Sequence, residues 1–278
     1  MPARPHIYDR SRQASVGVAV MAKDAAKTLP VLLQSIRPFV KQIVVGVDER
    51  TTDNTAKVAR RFGADDVFPL HVSDIHDCVI HDQVLVQHFG NARQETFKHL
   101  DRNLDWWMWL DADDVLERAE LLKPTLEGLN EECIGLWLHY EYGYVTRADG
   151  TRKVNTLFDR ERILRTHFHG EPVRWEWEGR VHETVKPVNA PYNWGFDNQI
   201  VVVHQPGIHQ TNDSAPRNLL LLEVDYETDP TSARTVFYLG HTYFALGDYA
   251  RAAQWYERFT QEIGEDPYQV WQAYIYLS

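Results

Sequence analysis

Three carboxylates, Asp111, Asp113 and Asp114, directly follow an apolar run of the chain. The run, residues 106–110, predicts a buried strand, and ligands of an open α/β sheet bind outside the carboxyl ends of its strands. An Asp-x-Asp pair offers hard oxygen ligands to Mg²⁺ or Mn²⁺, which also bind phosphate oxygens. A helix N-terminus is the competing interpretation, because Asp favours the first turn and residues 117–129 have helical character. A cap needs one Asp rather than three, so we favour the metal site.

Short apolar runs alternate with helical patterns around these acids. Residues 23–37 predict a helix that ends before Pro38, and residues 55–63 predict another with Gly63 at its C-terminus. We predict strands at residues 15–22, 42–48, 65–72, 106–110 and 134–145. The third strand is expected near an edge, because Pro69 cannot donate to a strand ladder. The alternation indicates a mainly parallel sheet with helices on both faces.

The middle of the chain is less regular. Residues 73–90 contain histidines without the tight spacing of a two-histidine metal motif, so we predict a solvated loop that leads into a helix. Further on, Trp175 and Trp177 precede a His-Glu pair, and a β-branched strand ends on His204. Tryptophan beside polar groups can form a sugar-stacking surface, although a single tryptophan is more often core.

From about residue 213 onward the sequence shows helical patterns and no strand. Its small and aromatic residues resemble a tetratricopeptide repeat, in which two antiparallel helices pack through Gly and Ala against aromatic side chains. The residues that carry this resemblance are Leu239, Gly240, Tyr243, Gly247, Tyr249, Ala252 and Tyr256. We therefore expect two domains, residues 1–210 and 211–278. One helix pair cannot bury both of its faces, so the second domain must dock on the first, self-associate or belong to a longer repeat.

The totals are those of an ordinary globular chain of 278 residues, with 44% hydrophobic and 25% charged residues. A net charge of -11 argues against a surface for nucleic acid or anionic lipid, because neutralising phosphates needs clustered Lys and Arg. No stretch reaches the roughly 18 apolar residues of a membrane span, and the N-terminus lacks the apolar core of a secretion signal. Cys78 and Cys133 are too few for a disulfide scaffold. We expect a cytoplasmic protein without a membrane partner.

Several spaced motifs together resemble the family 2 glycosyltransferases of the GT-A fold, a Rossmann-like sheet, in the subgroup with a tetratricopeptide tail. The matching segments are the strand end at 22–24, a VVDxGSxDxT-like turn at 45–55, the pair Arg93-Gln94, the LDADD motif at 110–114 and a Trp-x-Gly-x-x-His-Glu element at 177–183. Two positions depart from the family pattern, since Arg50 stands in place of Gly and Gln94 in place of Asn. Each motif alone is weak, and five in order are specific.

The resemblance implies transfer of a sugar from a nucleotide-sugar donor, expected to be UDP-linked, to an acceptor with inversion at the anomeric carbon. It also implies bound Mn²⁺ or Mg²⁺, which would stabilise the leaving diphosphate. The helical tail favours a protein or peptide acceptor, or a homodimer. The donor-binding candidates are Ala22, Lys23, Asp24, Asp48, Asp53, Arg93, Asp111 and Ala112. The metal candidates are Asp111, Asp113, Asp114 and His204. A surface salt bridge is the alternative for Arg93, and simple hydrogen bonding is the alternative for His204.

An inverting transfer needs a base that deprotonates the acceptor on the face opposite the leaving group. Glu183 is the candidate, with His182 beside it, because transferases of similar fold place an acid after a Trp-Gly-rich turn. Trp175 and Trp177, just before it, are the candidates for acceptor binding. An ion pair with Arg180 is the alternative for Glu183.

Two other classes of protein compete with this interpretation. A degenerate transferase domain that supports the helical repeat would bind a peptide or protein partner without taking up a donor, and Arg50 and Gln94 motivate it. A nucleotidyltransferase is disfavoured, because residues 18–28 lack the Gly-rich, Arg-containing loop of that class.

Overall fold

The computed structural model describes residues 14–78, 82–205, 214–263 and 267–277. Its strands are β1 (Val16–Ala22), β2 (Gln42–Asp48), β3 (Asp66–Leu70), β4 (Ser73–Cys78), β5 (Asp82–Gln87), β6 (Trp106–Asp111), β7 (Asp114–Glu117), β8 (Gly135–Thr146), β9 (Arg152–Arg165), β10 (His167–Phe168), β11 (Glu171–Pro172), β12 (Trp175–Glu178), β13 (Thr184–Pro187) and β14 (Trp194–His204). Its helices are α1 (Leu29–Ile36), α2 (Thr55–Arg61), α3 (Phe89–Phe97), α4 (Leu122–Gly128), α5 (Ser214–Thr228), α6 (Ala233–Ala245), α7 (Tyr249–Arg258) and α8 (Pro267–Leu277). A 3₁₀ turn at Ala119–Leu121 precedes α4, and a π-helical turn at Phe259–Ile263 follows α7.

Eight of these strands form one sheet in the order β3-β2-β1-β6-β9-β8-β14-β7. The first four strands run parallel, and β8 and β14 are also parallel to each other. β9 is antiparallel to β6 and to β8, and β7 is antiparallel to β14. The chain is therefore an α/β protein with a large, mostly parallel sheet, as the sequence predicts.

β1 and α1 show how the sequence builds the core of this sheet. Residues 16–20 of β1 are all buried, as expected of a parallel strand covered on both faces. The buried side chains of α1 recur at helical spacing: Leu29, Leu32, Leu33 and Ile36. Pro30 fits the first turn, whose N–H groups have no partner within the helix. The helix begins later than predicted, because Asp24 has a φ of +47° and residues 23–28 form turns instead.

Two parts of the chain differ from the prediction. The expected loop at residues 73–90 contains the antiparallel hairpin of β4 and β5, with residues 79–81 outside the described part. The acids at 111–114 do not start a helix, because the chain continues from Asp114 directly into β7, which pairs with β14. The helix-cap interpretation of these acids is therefore wrong, since α4 begins only at Leu122.

Contacts within the chain divide it into two compact units. The first, here called the sheet unit, takes in the described parts of residues 1–71, 92–177 and 185–209. The second, the helical unit, takes in those of residues 72–91, 178–184 and 210–278. The sequence predicts a single boundary after residue 210, whereas the contacts also group two earlier segments with the C-terminal helices.

The helical unit has a core of its own, built from α5 to α8 and the turn after α7. Gly240 on α6 lies against the ring of Tyr256 on α7, and a Cβ at residue 240 would come within 2.9 Å of that ring. Ser232 caps α6 by accepting from the N–H of Thr235, and Asp248 caps α7 by accepting from the N–H of Arg251. The small-against-aromatic contact is of the kind that the sequence pattern predicts, while the assignment to tetratricopeptide repeats remains a prediction.

None of the described helices has the length and apolar character needed to cross a bilayer. The longest of them, α5, has 15 residues, whereas a membrane span needs about 20.

Candidate active site

The candidate site lies at the carboxyl ends of parallel strands of the sheet unit. Asp48 ends β2 and Asp111 ends β6, and both strands pair with β1 in parallel register. The chain passes from Asp111 through Ala112 and Asp113 into β7 at Asp114. The fold therefore brings the acids of the second strand and of the LDADD motif to one edge of the sheet.

Asp114 is fully buried and fixes the turn rather than facing a ligand. One of its carboxylate oxygens accepts from the N–H of Asp111 at 2.9 Å, and the other accepts from the hydroxyl of Tyr140 at 3.0 Å. The guanidinium of Arg162, also fully buried, lies 3.4 Å from Asp114. Because both oxygens already accept hydrogen bonds, Asp114 is a poorer metal ligand than the sequence pattern implies.

Asp113, Asp114 and His204 form a group that could hold a metal ion, with ligand atoms that all lie within 4.8 Å of one another. Nδ1 of His204 is 3.7 Å from Oδ1 of Asp113 and 3.8 Å from Oδ1 of Asp114. These distances are too long for hydrogen bonds. They are within about 1 Å of the distance that separates two ligand atoms bound to the same cation. Carboxylate and imidazole together suit Mn²⁺ and related divalent cations. The residues therefore fit such an ion.

The charges of this group support that fit. Burial and the neighbouring carboxylates of Asp111 and Asp114 raise the pKa of Asp113 to about 6. Burial lowers the pKa of His204, but the nearby carboxylates of Asp114 and Asp113 outweigh this effect, so the pKa of His204 is raised. Crowded carboxylates that hold a proton are a common feature of binding sites, because a cation can replace that proton.

Asp111 points to a different set of partners. It pairs with Arg93 at 2.8 Å and lies 3.9 Å from Arg162. Burial alone would raise its pKa, but the two arginines lower the pKa of Asp111 to about 2, so this carboxylate stays ionised. Arg93 is itself buried, with its guanidinium 4.1 Å from the ring centroid of Trp109. Arg93 therefore makes a buried ion pair instead of the surface salt bridge that the sequence left open.

Asp48 is covered by Arg50, the residue that stands where the family has Gly. Its Oδ1 accepts from the backbone N–H and from Nε of Arg50, and its Oδ2 accepts from Nη2 at 2.6 Å. Burial raises the pKa of Asp48, but Arg50 outweighs this effect and lowers it overall. The resemblance assigns Asp48 to the base or ribose of a donor, and in the structure Arg50 already engages both oxygens of this carboxylate.

Asp24 and Asp53 tie the turns after β1 and β2 together. Asp24 accepts from the N–H of Thr52 at 2.7 Å and pairs with Lys23 at 2.6 Å. Asp53 accepts from the N–H of Ala26 at 3.0 Å. Both carboxylates thus serve the local backbone, and the ammonium of Lys23 stays about half exposed. Ala22 and Ala112 are buried, so their side chains do not line an open surface.

The predicted catalytic residues, His182 and Glu183, belong to the helical unit. The imidazole of His182 stacks on Tyr238 of α6, and Arg234 donates to its carbonyl oxygen. Glu183 is buried, with 8% of its surface exposed. Arg180 pairs with Asp225 of α5 at 3.1 Å, which is a different partner from the Glu183 that the sequence alternative named.

Trp175 and Trp177, the predicted acceptor-binding residues, lie in the interior. They are 5% and 8% exposed, respectively. Trp175 donates from Nε1 to the carbonyl oxygen of Arg165 at 2.9 Å, and Trp177 packs edge-on against Trp109. The structure therefore corrects the expectation of a tryptophan platform, because alternate residues of β12 point both rings into the core rather than toward an acceptor.

Tyr140, Tyr142 and Arg162 are site residues that the sequence did not predict. Tyr140 and Tyr142 alternate along β8 and share one of its faces, where His204 contacts both rings. This period of two was a usable signal. Arg162 lies between the rings of Trp109 and Tyr140, at 3.8 and 4.5 Å from their centroids. β9 also carries Arg160, Glu161 and Arg165, so no pattern in the sequence distinguished Arg162 from its charged neighbours.

No protein-family model and no curated protein match this chain. Among solved structures, it is similar to glucosyl-3-phosphoglycerate synthase from Mycobacterium tuberculosis in complex with Mn²⁺, UDP and phosphoglyceric acid, with 18% identity, a TM-score of 0.33 and coverage of 46% of this chain and 43% of the synthase. It is also similar to S. aureus TarS 1-349, with 11% identity, a TM-score of 0.42 and coverage of 95% of this chain and 80% of that one. The chain thus spans less than half the length of the synthase.

Proposed function

We propose that this chain is a metal-dependent glycosyltransferase that moves a sugar from a nucleotide-sugar donor, UDP-linked, to an acceptor hydroxyl. The observation that carries the proposal is the approach of Asp113 to His204, 3.7 Å between Oδ1 and Nδ1, at the carboxyl edge of a mostly parallel sheet. That edge is where such sheets bind nucleotides. A carboxylate and an imidazole in this position are a suitable donor set for a cation shared with a diphosphate.

The residues of the sheet unit divide the work of holding the donor. Asp113 and His204 would hold Mn²⁺ or Mg²⁺, which when bound neutralises the charge that develops on the diphosphate leaving group. Asp114 holds the turn that presents Asp113, through its bond to the N–H of Asp111. Lys23, with 48% of its side chain exposed, is the proposed contact for a donor phosphate.

Glu183 is the proposed base, and the C-terminal helices are the proposed acceptor-binding segment. Glu183 would accept the proton of the acceptor hydroxyl, while the new bond forms on the face opposite the leaving diphosphate and the anomeric carbon inverts. The helices α5 to α8 would bind a protein or peptide acceptor, or a second copy of the chain. His182, whose ring is stacked on Tyr238, would position the loop and take no part in proton transfer.

The test is nucleotide binding with and without the metal. The synthase structures hold UDP with Mn²⁺ or Mg²⁺, so UDP and these ions are the first probes. We expect UDP to raise the melting temperature of the wild-type chain in MnCl₂ and to have little effect in EDTA, because a ligand that binds only the folded state stabilises it. Asp113→Asn and His204→Ala should each weaken UDP binding about tenfold or more, since each removes one ligand of the cation.

Asp149→Asn is the matched control for these variants. Asp149 lies in the turn between β8 and β9, where it accepts from Thr151, so its loss should leave UDP binding unchanged. Binding of UDP that is the same in EDTA, or that survives Asp113→Asn at full strength, would remove the basis of the proposal.

A second candidate function is a scaffold that binds a peptide or protein partner without a donor. The observation that favours it is the cover that Arg50 places over Asp48, because both carboxylate oxygens are engaged. The same titrations separate the two functions. A scaffold takes up none of UDP-glucose, UDP-galactose, UDP-N-acetylglucosamine or GDP-mannose, whether or not Mn²⁺ is present.

A further inference from the structure

Two exposed aromatic side chains lie beside the Asp113–His204 pair in the sheet unit. Tyr142 on β8 is 50% exposed and Phe158 on β9 is 38% exposed. Their ring centroids are 5.8 Å apart with the planes at 45°. The ring of Tyr142 also stacks on the imidazole of His204, with centroids 4.9 Å apart and planes within 20°. Large apolar side chains that stay exposed next to a candidate site mark a surface that a ligand can cover.

Tyr140 supports this pair of rings from the buried side. Its own ring is buried and meets Tyr142 and Phe158 edge-on, at 5.7 and 5.2 Å. Its hydroxyl donates to Asp114 at 3.0 Å, which fixes the orientation of the ring. All three aromatic residues are on strands rather than loops, so the surface is preorganised and the same contacts orient His204.

We propose that Tyr142 and Phe158 form the platform on which the sugar ring of the donor stacks. This inference rests on the proposed function. The C–H face of a pyranose carries small positive charges that complement the negative face of an aromatic ring. The donor sugar is the occupant to which the structure points, because Tyr142 touches His204, one of the proposed ligands of the cation, and the sugar is bonded directly to the diphosphate that such a cation binds. The buried rings of Trp175 and Trp177 offer no such face.

The experiment compares each nucleotide with its sugar conjugate by calorimetric titration in saturating MnCl₂. The ligand pairs are UDP with UDP-glucose, UDP-galactose and UDP-N-acetylglucosamine, and GDP with GDP-mannose. Tyr142→Ala should weaken binding of the preferred sugar nucleotide about five- to tenfold and binding of the free nucleotide less than about twofold, as expected for the loss of one aromatic stacking contact. Tyr142→Phe should keep the wild-type affinity for both, because the stacking face is retained.

Phe158→Leu separates the platform from the metal group, because Tyr142 stacks on His204. Phe158→Leu should also weaken the sugar nucleotide selectively. Tyr192→Ala is the control, because it removes a tyrosine that is 65% exposed and packs on Trp194. This variant should bind the nucleotide and the sugar nucleotide with wild-type affinity.

Three results would overturn the platform. Equal losses for nucleotide and sugar nucleotide in Phe158→Leu would mean that the ring contacts the base or supports the metal group. Unchanged donor binding in both Tyr142→Ala and Phe158→Leu would mean that the two rings do not contact the donor sugar and are available to an acceptor instead. If the wild-type chain binds none of these nucleotides in a Mn²⁺-dependent way, the proposed function fails first and the platform fails with it.

Discussion

The imidazole of His182 stacks on the phenol ring of Tyr238, with centroids 4.2 Å apart and planes within 9°. His182 has a φ of +52°, a backbone conformation that costs a non-glycine residue energy unless its surroundings hold it. Here the stacking and the bond from Arg234 to the carbonyl oxygen of His182 hold it. The loop that carries Glu183 is thus fixed by α6 of its own unit.

The ion pair of Arg180 with Asp225 should be the second anchor of this loop. Asp225 also accepts from the backbone N–H of Arg180 at 2.9 Å, so Asp225→Ala leaves that amide without its acceptor. We expect faster hydrogen exchange across residues 178–184 and a loss of about 1.5–3 kcal/mol in the free energy of unfolding, measured in urea. Asp229→Ala, which removes an exposed turn acid bonded to Thr231, is the control. Unchanged exchange at Arg180 would contradict the anchoring role.

Gly240 should resist enlargement. Alanine has the higher helix propensity, but its Cβ would lie 2.9 Å from the ring of Tyr256, which is fully buried and has little room to move. We expect Gly240→Ala to destabilise the chain by about 1–3 kcal/mol in thermal or urea unfolding. Gly128→Ala at the end of α4 is the matched control, because its Cβ would meet nothing within 4 Å. A stabilising Gly240→Ala would show that the two helices pack less closely.

Arg162 should be needed for stability as well as for the site. It is fully buried with Asp114, and its Nε and Nη2 have no hydrogen-bond partner among the described residues. Arg162→Leu leaves Asp114 as a buried charge without its counter-ion, so we expect a loss of about 3–5 kcal/mol, read as a lower urea midpoint. Arg251→Leu, at a side chain that is 63% exposed, should cost less than about 0.5 kcal/mol. A loss below about 1 kcal/mol for Arg162→Leu would argue against a charged interior.

Metal binding should weaken below about pH 6, the pKa to which burial and Asp111 raise Asp113. Neither a protonated Asp113 nor a protonated His204, whose pKa is also raised, is a ligand. The affinity for Mn²⁺ should therefore fall by more than tenfold per pH unit below about pH 6, because two protons compete with one cation. Titration of MnCl₂ by calorimetry at pH 5, 6, 7 and 8 measures it. Asp113→Asn should bind weakly at every pH, and equal wild-type affinity at pH 5 and pH 8 would contradict the assignment.

The raised pKa of Asp113 also determines how the stability of the metal-free chain changes with pH. The unfolded carboxyl of Asp113 titrates near pH 4, so between about pH 4 and 6 the folded chain holds an extra proton and loses stability as the pH rises. Above pH 6 Asp113 is ionised, and the repulsion between its charge and the carboxylates of Asp111 and Asp114 destabilises the folded chain most. Asp113→Asn should therefore stabilise the metal-free chain at pH 8 by about 1 kcal/mol, a modest value because solvent screens a side chain that is 40% exposed. No stabilisation at pH 8 would contradict the crowding.

Local patterns were sufficient for part of this structure. The buried runs of β1, β2 and β6 and the leucine spacing of α1 depend on neighbouring residues, and the acids at 111–114 follow such a run. β7 was missed because it is four residues long and is fixed by β14, more than 80 residues away.

The details of the site depend on pairs of residues that are distant in sequence. Asp114 is turned inward by Tyr140 and Arg162, and the rings at 175 and 177 are buried against other strands. Asp48 and Arg50 are close in sequence, yet their contact depends on the geometry of the turn between them. That geometry was hard to predict because Arg50 stands where the family pattern has Gly.

The grouping of residues 72–91 and 178–184 with the C-terminal helices has a further consequence. Phe89 and Val181, from those two segments, pack in the core of α5 to α8. A single cut after residue 210 would remove the helices but strand these apolar side chains in water. The C-terminal helices therefore cannot be transferred to another protein by themselves. A chimera has to include residues 72–91 and 178–184 together with the helices.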